Sequence, residues 1–559
     1  MSSKPKVSKS QVSESQVSKS QVSKSQVSKS QSSEPNASPL VILGLDAGDA
    51  VLIERWVQAG DLPHLAALME KGCWGRITGQ ELVFEDGVWV NLFSGSSAGD
   101  HGYHYFRQLQ KPGNYGLKPV WGPDFEAPAF WAYLQNTEQR AALIDVPEVL
   151  PIAGLSGIQL ADWAVHRPLV PPSTQPPELL EKVKRIFGRQ ITIEEDFESS
   201  LATDQKIYQR LLTRIQKKGE LCRQLWAEDD YELMVAVFAE SHTGGHQLWQ
   251  YQSDTKPADP SPLKEGVRRV YQAIDQEIGQ LLSQLPETAN IFVVSPLGLQ
   301  DQFPTGGLMD DFLLKLGYRV LPEPSDAPVS WSPMAIARRV LPESVRIALS
   351  QFLSRETREH LLSEQFQGGT DWSKTTVFMI PSEFTSYLHV NLKGREPMGI
   401  VEPGADYEML LQQLEADLRA LIDPKSGEPA VQAVLRPREL FGTDAHSTLP
   451  DIVVKWRPGP YFMEEVRHPR VVLRQEKPEF FRGSDHNQNG FMAAVGPDIQ
   501  AKGNIGEVAL RDLAPTFLSL LGHDVPNTMP GQVVSVMVET QAEEISVSPV
   551  PSSQSFQQI

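Results

Sequence analysis

With 559 residues, the chain is longer than one minimal core needs, and a 40% hydrophobic and 22% charged composition points to one large globular domain with insertions. The formal net charge of -19 opposes bulk attraction to nucleic acid or anionic lipid, so an anionic substrate would need a local positive centre such as a bound metal ion. No apolar run approaches the roughly 20 residues that span a bilayer, and two cysteines, Cys73 and Cys222, support neither a disulfide framework nor a thiolate zinc site.

From Val7 to Gln31 the pentamer VSKSQ repeats five times, with Glu14 in place of one Lys. A five-residue period fits neither helix nor strand, and Ser, Gln and Lys bury too little to offset chain entropy, so residues 1–38 are expected to be a disordered tail. Lys4, Lys6 and Lys9 are not followed by the apolar core of a secretory signal, and a cytoplasmic location is expected.

Leu40 to Leu45 (LVILGL) reads as a strand buried on both faces and ends at Asp46. Asp49 can cap a helix through Val57, and Pro63 can open a second that stops at Gly72. The same grammar recurs at Leu233 to Phe238 and at Ile291 to Val294, with further strands at Ile452 to Val454 and Phe491 to Val495. The expected fold is α/β, a doubly wound and mostly parallel sheet flanked by helices, with ligands beyond the strand C-termini. Residues 304–373, with an amphipathic stretch near Pro342 to Gln365, interrupt the pattern and are expected to form an inserted cap or lid. The main domain is expected over 39–540, and 541–559, rich in Ser, Gln and Pro, as a second disordered tail.

Asp46 stands at a strand end, where a carboxylate either caps the next helix or faces a site. His242 and His246, four apart, share one side of a helical turn, a spacing that suits a metal but also two hydrogen-bonded histidines. His486, in RGSDHNQNG, is a third candidate. Trp89, Trp163 and Trp249 suit core packing better than pocket walls. Arg395 could meet an anion or form a structural ion pair.

Taken in order across roughly residues 40–535, several segments resemble the type I phosphodiesterase/nucleotide pyrophosphatase branch of the alkaline phosphatase superfamily. They are VILGLDAGDAVLIERWVQAGDLPHLAALMEKGCWG, VWVNLFSGSSAGDHGYHYF, GIQLADWAVH, NLKGREPMGIVEPGADY, GSDHNQNGFMAAVGPDI and RDLAPTFLSLLG. The resemblance implies that fold and two metal sites, onto which Asp46, His246 and His486 map as ligands. His242 takes the place of the Asp in an Asp-three-residues-His pair. His242, His246 and His486 would then make a three-nitrogen site for one zinc with an open position.

The second metal is doubtful on the same mapping. Ser295, Pro296, Leu297 and Gly298 replace Ser-Asp-His-Gly, and Glu85 replaces the hydroxyl nucleophile four residues before Trp89. Glu85 is left as a catalytic candidate: a carboxylate nucleophile, a ligand or general base beside Asp46, or a silent member of an acidic pocket. The functional expectation is a divergent metal-dependent hydrolase of a phosphodiester, pyrophosphate or related ester. The alternative is a degenerate scaffold that only binds a ligand or partner.

Overall fold

All six residues of the strand Leu40–Leu45 are buried. It pairs in parallel with Leu233–Phe238 on one side and Asn290–Ser295 on the other, both themselves apolar runs, as a strand covered on both faces requires. The strand period still divides the burial. Val41, Leu43 and Leu45 join one core cluster, while Leu40 and Ile42 join the other. Helices Ala50–Gln58, Pro63–Lys71, Leu201–Trp226 and Gly266–Leu282 cover the first face, and Val88–Ser94 and Leu513–Leu520 cover the second.

This computed structural model describes residues 38–538, apart from 111–114, 167, 169, 189–192, 194–199, 253–260, 324–354 and 479–480. The two expected tails, Ser38 excepted, lie outside the described residues, as does 342–354 of the amphipathic stretch; the rest of that stretch falls in the helix Arg355–Gly368. Among the described residues, no helix is long and apolar enough to cross a membrane.

The central sheet has nine strands, in the order Gly503–Ala509, Cys73–Thr78, Gly490–Val495, Asn290–Ser295, Leu40–Leu45, Leu233–Phe238, Arg140–Ile144, Ser156–Ala161 and Ser173–Gln175. Neighbours run parallel except around Gly490–Val495, antiparallel to both of its partners, and at the edge strand Ser173–Gln175. The mostly parallel α/β architecture read from the sequence is therefore the one present. Asp49 caps Ala50–Gln58 by accepting the Leu52 N–H at 2.9 Å, and Pro63 opens Pro63–Lys71 at its first position.

The apolar run at Ile452 belongs elsewhere. Ile452–Trp456 lies in a separate antiparallel sheet ordered Val377–Ile380, Ser386–Val390, Ile452–Trp456, Val431–Leu435. Helices Gly306–Lys315 and Ala405–Arg419 share its core. A short buried run fixes the strand but not the sheet it joins, because apolar residues fit either interior equally. In this layer Arg395 grips Asp451 with two bonds of 2.6 and 2.8 Å and donates to the Val390 carbonyl at 2.6 Å, so its fork is occupied by structure.

Candidate metal centre

Three neighbouring strands of the central sheet end at one mouth. Leu40–Leu45 delivers Asp46, and Leu233–Phe238 runs through Ala239 into the buried helix Glu240–Leu248, which carries His242 and His246. Asn290–Ser295 leads to Gly298–Asp301, which pairs antiparallel with Ser484–Asn487 so that Leu299 lies opposite His486. The helix and this strand pair come together at Gly245, where an added Cβ would lie 2.0 Å from Leu299 Cδ1. Beneath the helix, Glu240 accepts from Arg214 at 2.5 Å, and Lys218 reaches Asp145 at 3.2 Å and donates to the Val237 carbonyl at 2.7 Å. These groups are buried, and paired charges at such depth hold position strongly because losing one partner leaves the other uncompensated.

The three histidines meet at their Nε2 atoms. His486 Nε2 lies 3.2 Å from His242 Nε2 and 3.4 Å from His246 Nε2. Their rear nitrogens are also engaged: His242 Nδ1 with Asp46 Oδ2 at 3.0 Å, His246 Nδ1 with Ser484 Oγ at 3.0 Å, and His486 Nδ1 with Glu85 Oε2 at 3.5 Å. His166, five residues past the strand Ser156–Ala161, which lies two strands from Leu233–Phe238 in the sheet, stacks on His242 with ring centroids 3.8 Å apart. Among the described residues, two groups of donor atoms converge closely enough to hold a metal: His242, His246 and His486, and Glu85, Asp485 and His486.

Asp46 falls in neither group. Its Oδ1 accepts from Trp89 Nε1 at 2.9 Å and its Oδ2 faces His242. Trp89 reaches it by lying over Gly44, where a Cβ would stand 2.7 Å from the indole. Burial pushes the Asp46 carboxyl up, but the His242 imidazole and the Trp89 hydrogen bond outweigh it and hold the group below the usual range. Burial and the neighbouring Arg482 and imidazoles drive His246 well down, which keeps it neutral. For His486 burial also acts downward, yet Glu85 and Asp485 win and raise it.

Glu85 takes a salt bridge from Lys455 Nζ to its Oε1 at 2.6 Å. Against the upward push of burial, Lys455 and His486 hold Glu85 down at about 2. Asp485 moves the other way, pushed up to about 6 by burial and by the charge of Glu85. Where Asp and His ligands are replaced, Ser295 Oγ accepts from Gly48 N at 2.7 Å and donates to the Leu297 carbonyl at 2.9 Å, while Leu297 itself sits in an apolar core cluster. That segment is the end of one strand, a two-residue link and the start of the next.

Of the residues singled out in the sequence, the structure thus gathers Asp46, Glu85, His242, His246 and His486 into one linked cluster. Trp163 is core, and Trp249 lines a separate cavity of about 240 Å³ beside Asp49, Arg55 and Asn487. Sequence reasoning passed over His166, Lys455, Ser484 and Asp485. His166 carried a signal, since it also follows a strand of the central sheet. Lys455 carried none, because its strand belongs to the second sheet.

In comparison with known proteins, residues 40–485 match the family model described as type I phosphodiesterase/nucleotide pyrophosphatase. No curated protein matches the sequence. Among solved structures, murine ectonucleotide pyrophosphatase/phosphodiesterase 5 is 12% identical, with a TM-score of 0.45 over 87% of this chain and 96% of that one. Phosphonoacetate hydrolase from Sinorhizobium meliloti 1021, in complex with phosphonoformate, is 13% identical, with the same TM-score and coverage. The family match spans about four-fifths of the sequence and takes in Asp46, Glu85, His242 and His246, and on that ground the chain belongs to the type I phosphodiesterase/nucleotide pyrophosphatase family.

Proposed function

We propose that the protein is a metal-dependent hydrolase of a phosphodiester, pyrophosphate or related small anionic ester, working with one zinc-class ion on His242, His246 and His486. The observation that carries this reading is the meeting of three imidazole Nε2 atoms at 3.2 and 3.4 Å. Two nitrogens bound to a tetrahedral zinc at about 2.0–2.1 Å stand about 3.3–3.4 Å apart, and catalytic zinc sites keep three protein ligands and one open position. A divalent ion there would supply positive charge and Lewis-acid polarisation where the ester's negative charge builds up.

The chain's own residues prepare that centre from behind. A buried, ionised Asp46 keeps the proton of His242 on Nδ1 and so leaves the Nε2 lone pair pointing at the common centre. Trp89 fixes the orientation of Asp46 by its N–H, and Ser484 Oγ does for His246 what Asp46 does for His242. Glu85 orients His486. A carboxylate held at about 2 and occupied by Lys455 is a weak base and a weak nucleophile at neutral pH, which supports an orienting role for Glu85 over attack on phosphorus. With no hydroxyl at that position, the reading favours displacement by water over a covalent enzyme intermediate.

The deciding experiment is metal analysis of purified protein together with hydrolysis of a nitrophenyl phosphodiester and a pyrophosphate. Close to one equivalent of zinc, with hydrolysis lost on chelation and restored on zinc return, is expected. Full zinc occupancy without hydrolysis of either substrate would leave the non-catalytic scaffold as the better reading.

A further inference from the structure

The cluster of Glu85, Asp485 and the Nδ1 side of His486 gathers donor atoms that all lie within 4.8 Å of one another, yet it is not bare. Lys455 Nζ is 2.6 Å from Glu85 Oε1 and 3.2 Å from Thr385 Oγ1. Both members of the Lys455–Glu85 pair are mostly buried, with side-chain exposures of 15% and 17%. The lysine comes from Ile452–Trp456 and the threonine from just before Ser386–Val390, so the second sheet reaches over to the mouth of the first and places an ammonium on its acidic half.

We propose that Lys455 is a built-in second cation of the site, filling the Glu85–Asp485–His486 cluster so that the centre works with one metal ion and one fixed ammonium. The inference rests on the proposed histidine site and adds to it a reason why only one ion is held. The cluster offers two carboxylates, and an imidazole nitrogen once His486 Nδ1 gives up its proton, a set that would otherwise attract a divalent ion. An ammonium already at hydrogen-bond distance from Glu85 opposes such an ion by like-charge repulsion and uses one of the oxygens it would need. Because the charge is carried on a side chain, removing metal from the protein leaves it in place. Lys455 is thus a positioning residue: it acts on Glu85, and through Glu85 on His486.

The test is a count of bound ions. Metal-free full-length protein is titrated with Zn2+ and, separately, with Mn2+ monitored by electron paramagnetic resonance. The wild type is expected to take one equivalent, Lys455→Arg one, and Lys455→Gln two, the second ion releasing the His486 Nδ1 proton to solvent so that the two manganese ions show the exchange splitting of a pair bridged by the His486 imidazolate. One equivalent in a folded Lys455→Gln would overturn the inference and leave the histidine site standing. A spin-coupled pair in the wild type would do the same, a measurement that needs no variant and so holds even if Lys455→Gln does not fold. A single uncoupled ion at saturating manganese in the wild type supports it. No bound ion in the wild type, with either metal, removes the histidine site and the inference together.

Discussion

Replacing Asp46 with Asn changes no volume and removes one acceptor, which makes it the sharpest probe of how the histidines are held. Two donors converge on this buried carboxylate, Trp89 Nε1 at 2.9 Å and His242 Nδ1 at 3.0 Å. An amide offers one oxygen and one NH2, so it can satisfy only one of them. If it keeps Trp89, the NH2 faces His242 and drives the imidazole proton from Nδ1 to Nε2, where it blocks metal binding. If it keeps His242, the Trp89 N–H is left without an acceptor in the interior, at a cost of about 1–3 kcal/mol. Loss of such an outer partner typically weakens metal affinity about 10- to 100-fold, equivalent to about 1.4–2.7 kcal/mol. Competition with a chromophoric zinc chelator measures this directly, with circular dichroism confirming that the variant is folded. An Asp46→Asn protein that binds zinc as tightly as the wild type would refute the claim that Asp46 orients His242.

Further outcomes follow from the same geometry. His246→Ala removes one of three converging nitrogens, and elemental analysis after dialysis should find bound zinc falling from about one equivalent to none. Glu85 and Asp485 overcome burial to raise His486, so a proton competes with metal at that nitrogen up to a higher pH than at an ordinary histidine. Zinc affinity should therefore fall as pH drops, by about tenfold per pH unit for each proton displaced, and Glu85→Gln should move the onset of that loss to lower pH. Arg395→Met strands the buried Asp451 carboxylate and should cost about 3–5 kcal/mol in urea unfolding while leaving zinc binding unchanged. Against burial, Arg395 holds Asp451 below its usual value, so that pair's contribution is present above the unfolded value of about 3.9 and is lost as pH falls through the lower folded value.

What the sequence disclosed follows from local rules. Leu40–Leu45, Leu233–Phe238 and Asn290–Ser295 were legible because a strand covered on both faces must be apolar throughout, and Asp49 and Pro63 because capping chemistry is short-range. The four-residue step from His242 to His246 was legible as one face of a helix, and the family resemblance added His486 from beyond two hundred residues away. The far sides of those rings were not. That Ser484 meets His246, or that Lys455 crosses from the second sheet to Glu85, depends on strand register and on which sheet accepts Ile452–Trp456, and an apolar run specifies neither. The substitution at Glu85 was visible, but its meaning lay in its partner.

The helix Glu240–Leu248 is tied at its base by Glu240, Arg214, Lys218 and Asp145, and pressed at Gly245 against Leu299 of the strand that pairs with the one carrying His486. Both supports oppose a spreading of the histidines. If the proposed histidine site holds a metal, its three nitrogens resist retreat before a much larger ion, and they offer magnesium and calcium none of the oxygen atoms those ions prefer. Loosening the charges under the helix, by Arg214→Met for instance, should therefore erode the preference for zinc over a larger soft ion such as cadmium before it erodes the capacity to bind metal at all.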